Sequence, residues 1–203
     1  MKLIGSNLSP YARKARLVLL EKNIPHEWII DSPREKDSKV PQFNPLGRIP
    51  ALILDDGTCI FDSPVIAEYA DSLNDNPILI PREDAHAKMI VKRWEALADG
   101  IMDSAILVRT ESMRLLERQD PAVIIRYNEA VSRALAFAAQ ELTANEWCAG
   151  GQLSLADLAL VSALIYVDLR QPEREWRKQH PNLAQFFERL SARESVKIAV
   201  TGG

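Results

Sequence analysis

The stretch Leu3-Ile4-Gly5-Ser6-Asn7-Leu8-Ser9-Pro10-Tyr11-Ala12-Arg13-Lys14 constrains this chain more than any other. An apolar run of strand type breaks at Gly5-Ser6-Asn7, and Pro10 opens a helical pattern at the position where a missing amide donor costs nothing. Ser9 therefore falls at the N-cap. A helix start presents unpaired backbone N–H groups and the positive end of its dipole, so it favours an anion, whether phosphate, carboxylate or thiolate. Ser9 has a plainer reading too, as a hydroxyl that caps the helix and does nothing more.

The first helix is expected over Pro10 to Lys22, with Tyr11, Ala15, Val18 and Leu19 on its buried face and Arg13, Lys14, Arg16, Glu21 and Lys22 largely off it. His26–Ile30 reads as a second strand, Asp31–Lys39 as a polar surface loop carrying Lys36 and Lys39, and Phe43–Arg48 as turn chemistry. Ile49-Pro50 then leads into the strand Ala51–Leu54; a proline at the head of a strand sits where no ladder donor is needed. Asp56-Gly57 between apolar runs predicts a hairpin that pairs this strand with Cys59–Phe61. Asp62-Ser63-Pro64 repeats the opening logic, with Ser63 as hydroxyl cap and a proline at N1, ahead of the helical pattern Val65, Ile66, Tyr69, Ala70, Leu73. The order β-α-β, hairpin, α is that of a thioredoxin-like domain, placed at residues 1–76.

Asn74–Pro81 is a linker by composition, and everything after it has helical periodicity. Asp84–Arg118 is expected as one long helix or two abutting ones, interrupted near Gly100. There Glu95, Asp99 and Asp103 read as a solvated face, with Arg93 free to pair beside Glu95 or with a partner chain. Asp120-Pro121 opens a helix to about Leu142. Ser154-Leu155-Ala156-Asp157 begins the most apolar helix, where Ser154 and Asp157 resemble a capping box and Leu153 with Leu158 a hydrophobic staple. Asp157 is read as structural, since a nearly all-apolar helix is buried and its first turn needs an internal partner. A terminal helix from His180 through Leu190 and a last turn over Glu194–Ala199 follow. The fold class is thus an α/β thioredoxin-like N-terminal domain plus an all-α C-terminal domain over 82–203.

A net charge of −3 with both signs interspersed recommends no nucleic-acid partner. No apolar stretch approaches the ~20 residues of a membrane span, and Met1-Lys2-Leu3-Ile4 runs into a strand pattern without a signal-peptide core, so the expected location is cytoplasmic. Cys59 and Cys148 stand far apart, in no metal-ligand spacing, and His26, His86 and His180 are scattered singly, so no metal is expected.

Ser9-Pro10-Tyr11-Ala12-x-Lys14, Asn44-Pro45-Leu46-Gly47-Arg48-Ile49-Pro50-Ala51-Leu52, Asp62-Ser63-Pro64-x-Ile66-x-Glu68-Tyr69 and Leu153-Ser154-x-Ala156-Asp157 occur together in one order and spacing. Each is weak alone; four in register resemble the cytosolic glutathione transferases over nearly the whole chain, in the manner of a serine-type bacterial member. Ser9-Pro10-Tyr11-Ala12 also resembles the Cys-Pro-Tyr-Cys of glutaredoxins with both cysteines replaced, which removes thiol–disulfide exchange from this position.

The resemblance implies a glutathione site in the N-terminal domain and glutathione as co-substrate. Ser9 would donate a hydrogen bond to the sulfur. The γ-glutamyl carboxylate would meet Ser63 and the amides of its helix start, Asp62 would lie near the γ-glutamyl amine, and the cysteinyl backbone would pair with Ile49 ahead of a cis Pro50. Lys36 or Lys39 would meet the glycyl carboxylate. A hydrophobic electrophile would lie between domains against Tyr11, Ile106, Arg109 and Tyr166; read singly, Ile106 and Tyr166 suit core packing and Arg109 a solvated face. The family further implies a homodimer and a detoxifying conjugation, with peroxide reduction, dehalogenation and isomerisation as related outcomes. A protein of the same fold that binds or regulates without transferring anything is the alternative.

Overall fold

The computed structural model describes residues 1–201. Its elements are β1 (Lys2–Gly5), α1 (Pro10–Glu21), β2 (Glu27–Ile30), α2 (Val40–Phe43), β3 (Ala51–Ile53), β4 (Cys59–Ile60), α3 (Ser63–Ser72), α4 (Ala85–Ser112), α5 (Pro121–Leu142), α6 (Leu155–Arg170), α7 (Trp176–Gln179), α8 (Pro181–Ser191) and α9 (Glu194–Thr201), with a 3-10 turn at Leu116–Arg118. This is a small mixed sheet followed by a helical region, the fold class expected from the sequence. The chain forms two compact units: Met1–Asp84 with the segment from Ser191, and Ala85–Leu190.

In the first unit the strand order is β2-β1-β3-β4, with β1 parallel to β2 and antiparallel to β3, and β3 antiparallel to β4. Side chains alternate across the sheet. Ile4 and its cross-strand partner Ala51 face Val40 of α2, with Ile29, Phe43, Ile49 and Ile53 packed around them. Leu3 and its partner Leu52, fully buried, face the opposite side. The short α2 was not foreseen; Val40, fully buried, explains why one turn forms where the polar loop ends.

The most instructive departure is α1. Arg13, Lys14, Arg16 and Lys22, expected largely off the buried face, are 4, 0, 5 and 2 % exposed. The helix packs on β1, α3 and α9, so almost no side of it is left to water. Lys22 shows how a cation is accommodated there. Its three ammonium donors are matched by Asp71 Oδ1 at 3.0 Å, the Asn74 carbonyl at 2.8 Å and the Pro77 carbonyl at 2.6 Å. Asp71 in turn accepts from the amides of Leu79 and Ile80, so the linker is tied down rather than loose. Asn23 ends the helix in a left-handed conformation, φ 52°, that asparagine tolerates.

In the second unit α4 packs against α5 and α6. It runs unbroken through Gly100, flanked by the buried Ala98, Ile101 and Met102, and ends at Ser112 rather than Arg118. One exposed glycine costs a helix only about 1 kcal/mol, less than those burials return. Glu95 is buried and paired with Lys92, not solvated, and Arg93 pairs with Glu141 of α5. α6 is apolar on nearly every side and buried. Its start carries the expected acid: Asp157 Oδ2 accepts from the Ser154 amide and hydroxyl, each at 2.8 Å, and Oδ1 from the Cys148 amide at 2.8 Å. Burial pushes the Asp157 carboxyl above its ordinary value despite these donors, and pushes the adjacent Cys148 thiol far up. Cys59 and Cys148 are both free thiols. No helix among the described residues is long and apolar enough to cross a membrane.

Candidate functional site

Sheet register decides where the sequence-predicted residues meet. Gly5 of β1 pairs with Ile30 of β2, Ile4 with Ala51 of β3, and Leu52 with Ile60 of β4. Stepping off the sheet in one direction therefore passes from Gly5 into Ser6–Ser9, from Ile30 into the Lys36–Lys39 loop, from Ala51 back to Pro50 and Ile49, and from Ile60 into Phe61-Asp62-Ser63. Ser9, Ile49, Pro50, Asp62 and Ser63 stand at one end of one sheet, and Lys36 and Lys39, both exposed, belong to a loop that leaves from the same end.

Ser9 is the N-cap of α1, with extended backbone, and its Oγ accepts from the Ala12 amide at 3.2 Å. A hydroxyl that accepts in this way keeps its own proton to donate outward. The cap and the donor are thus compatible roles of one side chain. The turn before it is pinned: Trp28 Nε1 donates to Asn7 Oδ1 at 3.2 Å and Arg13 Nη2 to the Asn7 carbonyl at 2.7 Å.

The start of α3 differs from the sequence expectation. Asp62, not Ser63, is the N-cap, Ser63 is the first helical residue, and Pro64 follows it. The Asp62 side chain makes no capping bond and is exposed. Among the described residues the Ser63 hydroxyl has no hydrogen-bond partner although the residue is 2 % exposed, and the loop and cap bonds use neither its amide nor that of Val65. Three donors and one carboxylate are left without internal bonds, chemistry that can receive an anion and an ammonium.

Ile49–Pro50 is cis, as the resemblance implies, and the Phe61–Asp62 and Asn76–Pro77 bonds are cis as well. None of the loop and cap hydrogen bonds among the described residues uses the amide or carbonyl of Ile49. Asn44 shapes that segment: it is buried, its Nδ2 donates to the Arg48 carbonyl at 2.7 Å and its Oδ1 accepts from the Leu46 amide at 3.0 Å. Gly47, at φ 60°, makes the turn between them. Lys39 donates its amide to Asp31 Oδ2 at 2.9 Å, which fixes its backbone just ahead of the anchored Val40.

The residues suspected for a second substrate fall in different surroundings. Tyr11 is half-buried on α1 in the first unit. Ile106 and Arg109 are half-buried on α4 in the second. Tyr166 on α6 is 4 % exposed, with the Arg170 guanidinium 5.5 Å from its ring centroid, and serves as core. No group of His, Cys, Asp and Glu side chains fit to hold a metal occurs among the described residues. Sequence reasoning missed Trp28 and Arg13, because nothing in their spacing says that both reach one asparagine.

Residues 8–73 match the family model of the glutathione S-transferase N-terminal domain, and residues 116–189 that of the C-terminal domain. The chain is 37 % identical over 195 residues to the uncharacterized GST-like protein YibF of Escherichia coli K12, covering 96 % of each protein. Its fold superposes with a TM-score of 0.95 on a glutathione S-transferase from Methylobacillus flagellatus with glutathione bound, at 42 % identity over 98 % of both chains. A glutathione S-transferase from Methylobacterium radiotolerans in complex with glutathione sulfonate gives 0.94 at 34 % identity, over 98 % of this chain and 93 % of that one. With both domain models matched in order and a relative this similar along its whole length, the chain belongs to the glutathione S-transferase family.

Proposed function

We propose that the chain is a serine-type glutathione S-transferase, with residues 1–76 as its glutathione-binding domain and 82–203 as its helical domain. It binds glutathione as co-substrate and holds the sulfur as a thiolate for attack on a small hydrophobic electrophile. The observation that carries the reading is the open donor set at the α3 start, at the same sheet end as the Ser9 hydroxyl. It is supported by relatives of 34–42 % identity that carry glutathione or its sulfonate.

In this reading the γ-glutamyl carboxylate takes the Ser63 hydroxyl and the Ser63 and Val65 amides, and Asp62 takes the amine. The cysteinyl backbone pairs with the unused main chain of Ile49 beside Pro50, and Lys36 or Lys39 meets the glycyl carboxylate. Ser9 donates to the sulfur. Lowering a thiol from about 8.5 by two units requires about 2.7 kcal/mol of preference for the anion. One hydrogen bond to a charged acceptor contributes roughly 1.5–3 kcal/mol and a helix start about 0.3–1 kcal/mol more, so the two together suffice without a general base. The activated sulfur is itself the nucleophile. Tyr11, Ile106, Arg109 and Tyr166 are assigned to the electrophile, and a homodimer in the cytoplasm with a detoxifying role completes the reading.

The test is a titration of bound glutathione followed by thiolate absorbance. Wild type should show the thiol ionising about two units below free glutathione, and Ser9→Ala should return most of that shift. Glutathione bound with an unshifted thiol would instead support a non-transferring binding protein of the same fold.

A further inference from the structure

The indole of Trp28, on β2, is seated from three directions. A Cβ built on Gly5 would come within 2.4 Å of its Cη2 and 2.7 Å of Ala12 Cβ, so only glycine at the end of β1 admits the ring. The Arg16 guanidinium lies over it, 4.7 Å from a ring centroid. Its Nε1 can only donate, and it donates to Asn7 Oδ1 at 3.2 Å, which also fixes which end of the Asn7 amide turns toward the ring. Arg13 Nη2 holds the Asn7 carbonyl at 2.7 Å.

Asn7 stands two residues before Ser9. Leu8, between them, is 54 % exposed and gives the turn no packing anchor. Ser9 is tied forward to α1 by the Arg13 amide on its carbonyl at 3.0 Å and back to the turn by its own amide on the Ser6 carbonyl at 2.9 Å, so the turn around Asn7 sets one of the two ends that hold it. A displacement of about 1 Å at a reacting centre can cost on the order of 100-fold in rate.

We propose that Trp28 is a positioning residue for Ser9, acting through Asn7 to fix the turn from which the Ser9 hydroxyl reaches the glutathione sulfur. The proposal rests on the reading of Ser9 as the thiolate's donor. Trp28→Phe removes the indole donor together with the outer ring atoms that lie nearest Gly5; Asn7→Ala removes the acceptor and leaves the indole in place.

The experiment is the thiolate titration of bound glutathione in wild type, Ser9→Ala, Trp28→Phe, Asn7→Ala and the double variant Trp28→Phe/Asn7→Ala. The expected result is that Trp28→Phe raises the bound thiol's midpoint by about half a unit or more, while glutathione affinity changes less than about twofold. Asn7→Ala gives the same rise and the double variant no further one, since both break a single linkage. A lowered melting temperature with the wild-type thiol midpoint would mean that Trp28 only packs, and overturns the proposal while Ser9→Ala still shifts the thiol. Additive shifts in the double variant overturn it too. If Trp28→Phe does not fold, an unshifted thiol in Asn7→Ala suffices to reject it. If Ser9→Ala leaves the thiol at the wild-type midpoint, the reading of Ser9 falls and the positioning role falls with it.

Discussion

Two helix starts in this molecule carry the same two residue types and use them in opposite ways. At α6 the carboxylate of Asp157 accepts from the Ser154 amide and hydroxyl and from the Cys148 amide, and the whole start is buried. At α3 the carboxylate of Asp62 caps nothing, and the hydroxyl of Ser63 has no partner among the described residues. Where the acid stands explains the difference. At N3 it folds back onto the donors of its own first turn; at the N-cap, before a serine and a proline, it bonds none of them. A helix start that satisfies itself holds a fold together, and one that leaves its donors open can hold a ligand.

The largest effect that would break this contrast is on stability at α6. Asp157→Ala leaves the buried Ser154 and Cys148 amides without acceptors and should lower unfolding free energy by about 2–4 kcal/mol, read from the denaturant midpoint at constant slope. A loss below about 1 kcal/mol would mean that the α6 start is not self-satisfied. Ser63→Ala is the counterpart. Its hydroxyl contributes nothing to internal bonding, so stability should change by less than about 0.5 kcal/mol while glutathione binding weakens by about 1–3 kcal/mol. Calorimetry with unchanged affinity would remove Ser63 from the site.

How much of this was legible follows the range over which each signal acts. Prolines one or two places inside a helix start, Asp56-Gly57 and the Ser154–Asp157 pair are local chemistry, and they located the starts of α1, α3, α5 and α6 and the β3–β4 hairpin. The residues that end up at one sheet end were named through the resemblance alone, because the strand order and register that bring successive loops together are long-range. What stayed hidden depends on who covers a face. The hydrophobic pattern of α1 reports one apolar stripe but cannot report that α3 and α9 also pack on the helix, so four cations expected in water are buried. Lys22 finds Asp71 forty-nine residues away, and Trp28 finds Asn7 twenty-one away. Such pairs need the fold before they can be read.

A third carboxylate sharpens the comparison through pH. Glu21 at the end of α1 accepts a bidentate bond from Arg193, at 2.8 and 2.7 Å, and a further bond from the Ser195 hydroxyl, so the segment leading into α9 is fastened to α1. Burial pushes the Glu21 carboxyl up, but the Arg193 hydrogen bond, the Ser195 hydroxyl and the Arg193 charge outweigh it and hold the group below its ordinary 4.5. A depressed carboxyl contributes stability that is complete above the unfolded value and lost as pH falls through the folded one. Arg193→Ala should therefore cost about 1–2 kcal/mol at neutral pH and flatten the loss of stability below about pH 4.5. An acid limb identical to wild type would show that Glu21 is not held by this pair.

Asp62→Asn is the smallest and most selective test, because it asks whether an uncommitted carboxylate is uncommitted in both senses. Its side chain is exposed and caps nothing, so melting should not move beyond the ±0.5 kcal/mol typical of surface changes. Its charge matters only if a cation comes to it. Glutathione affinity should then fall several-fold at low ionic strength, and the deficit should shrink as salt screens the exposed pair. A deficit that is large and insensitive to salt would mean that bound ligand buries Asp62 far more than its present exposure implies. If affinity does not change, the amine is held elsewhere, and the open start of α3 recognises the carboxylate alone.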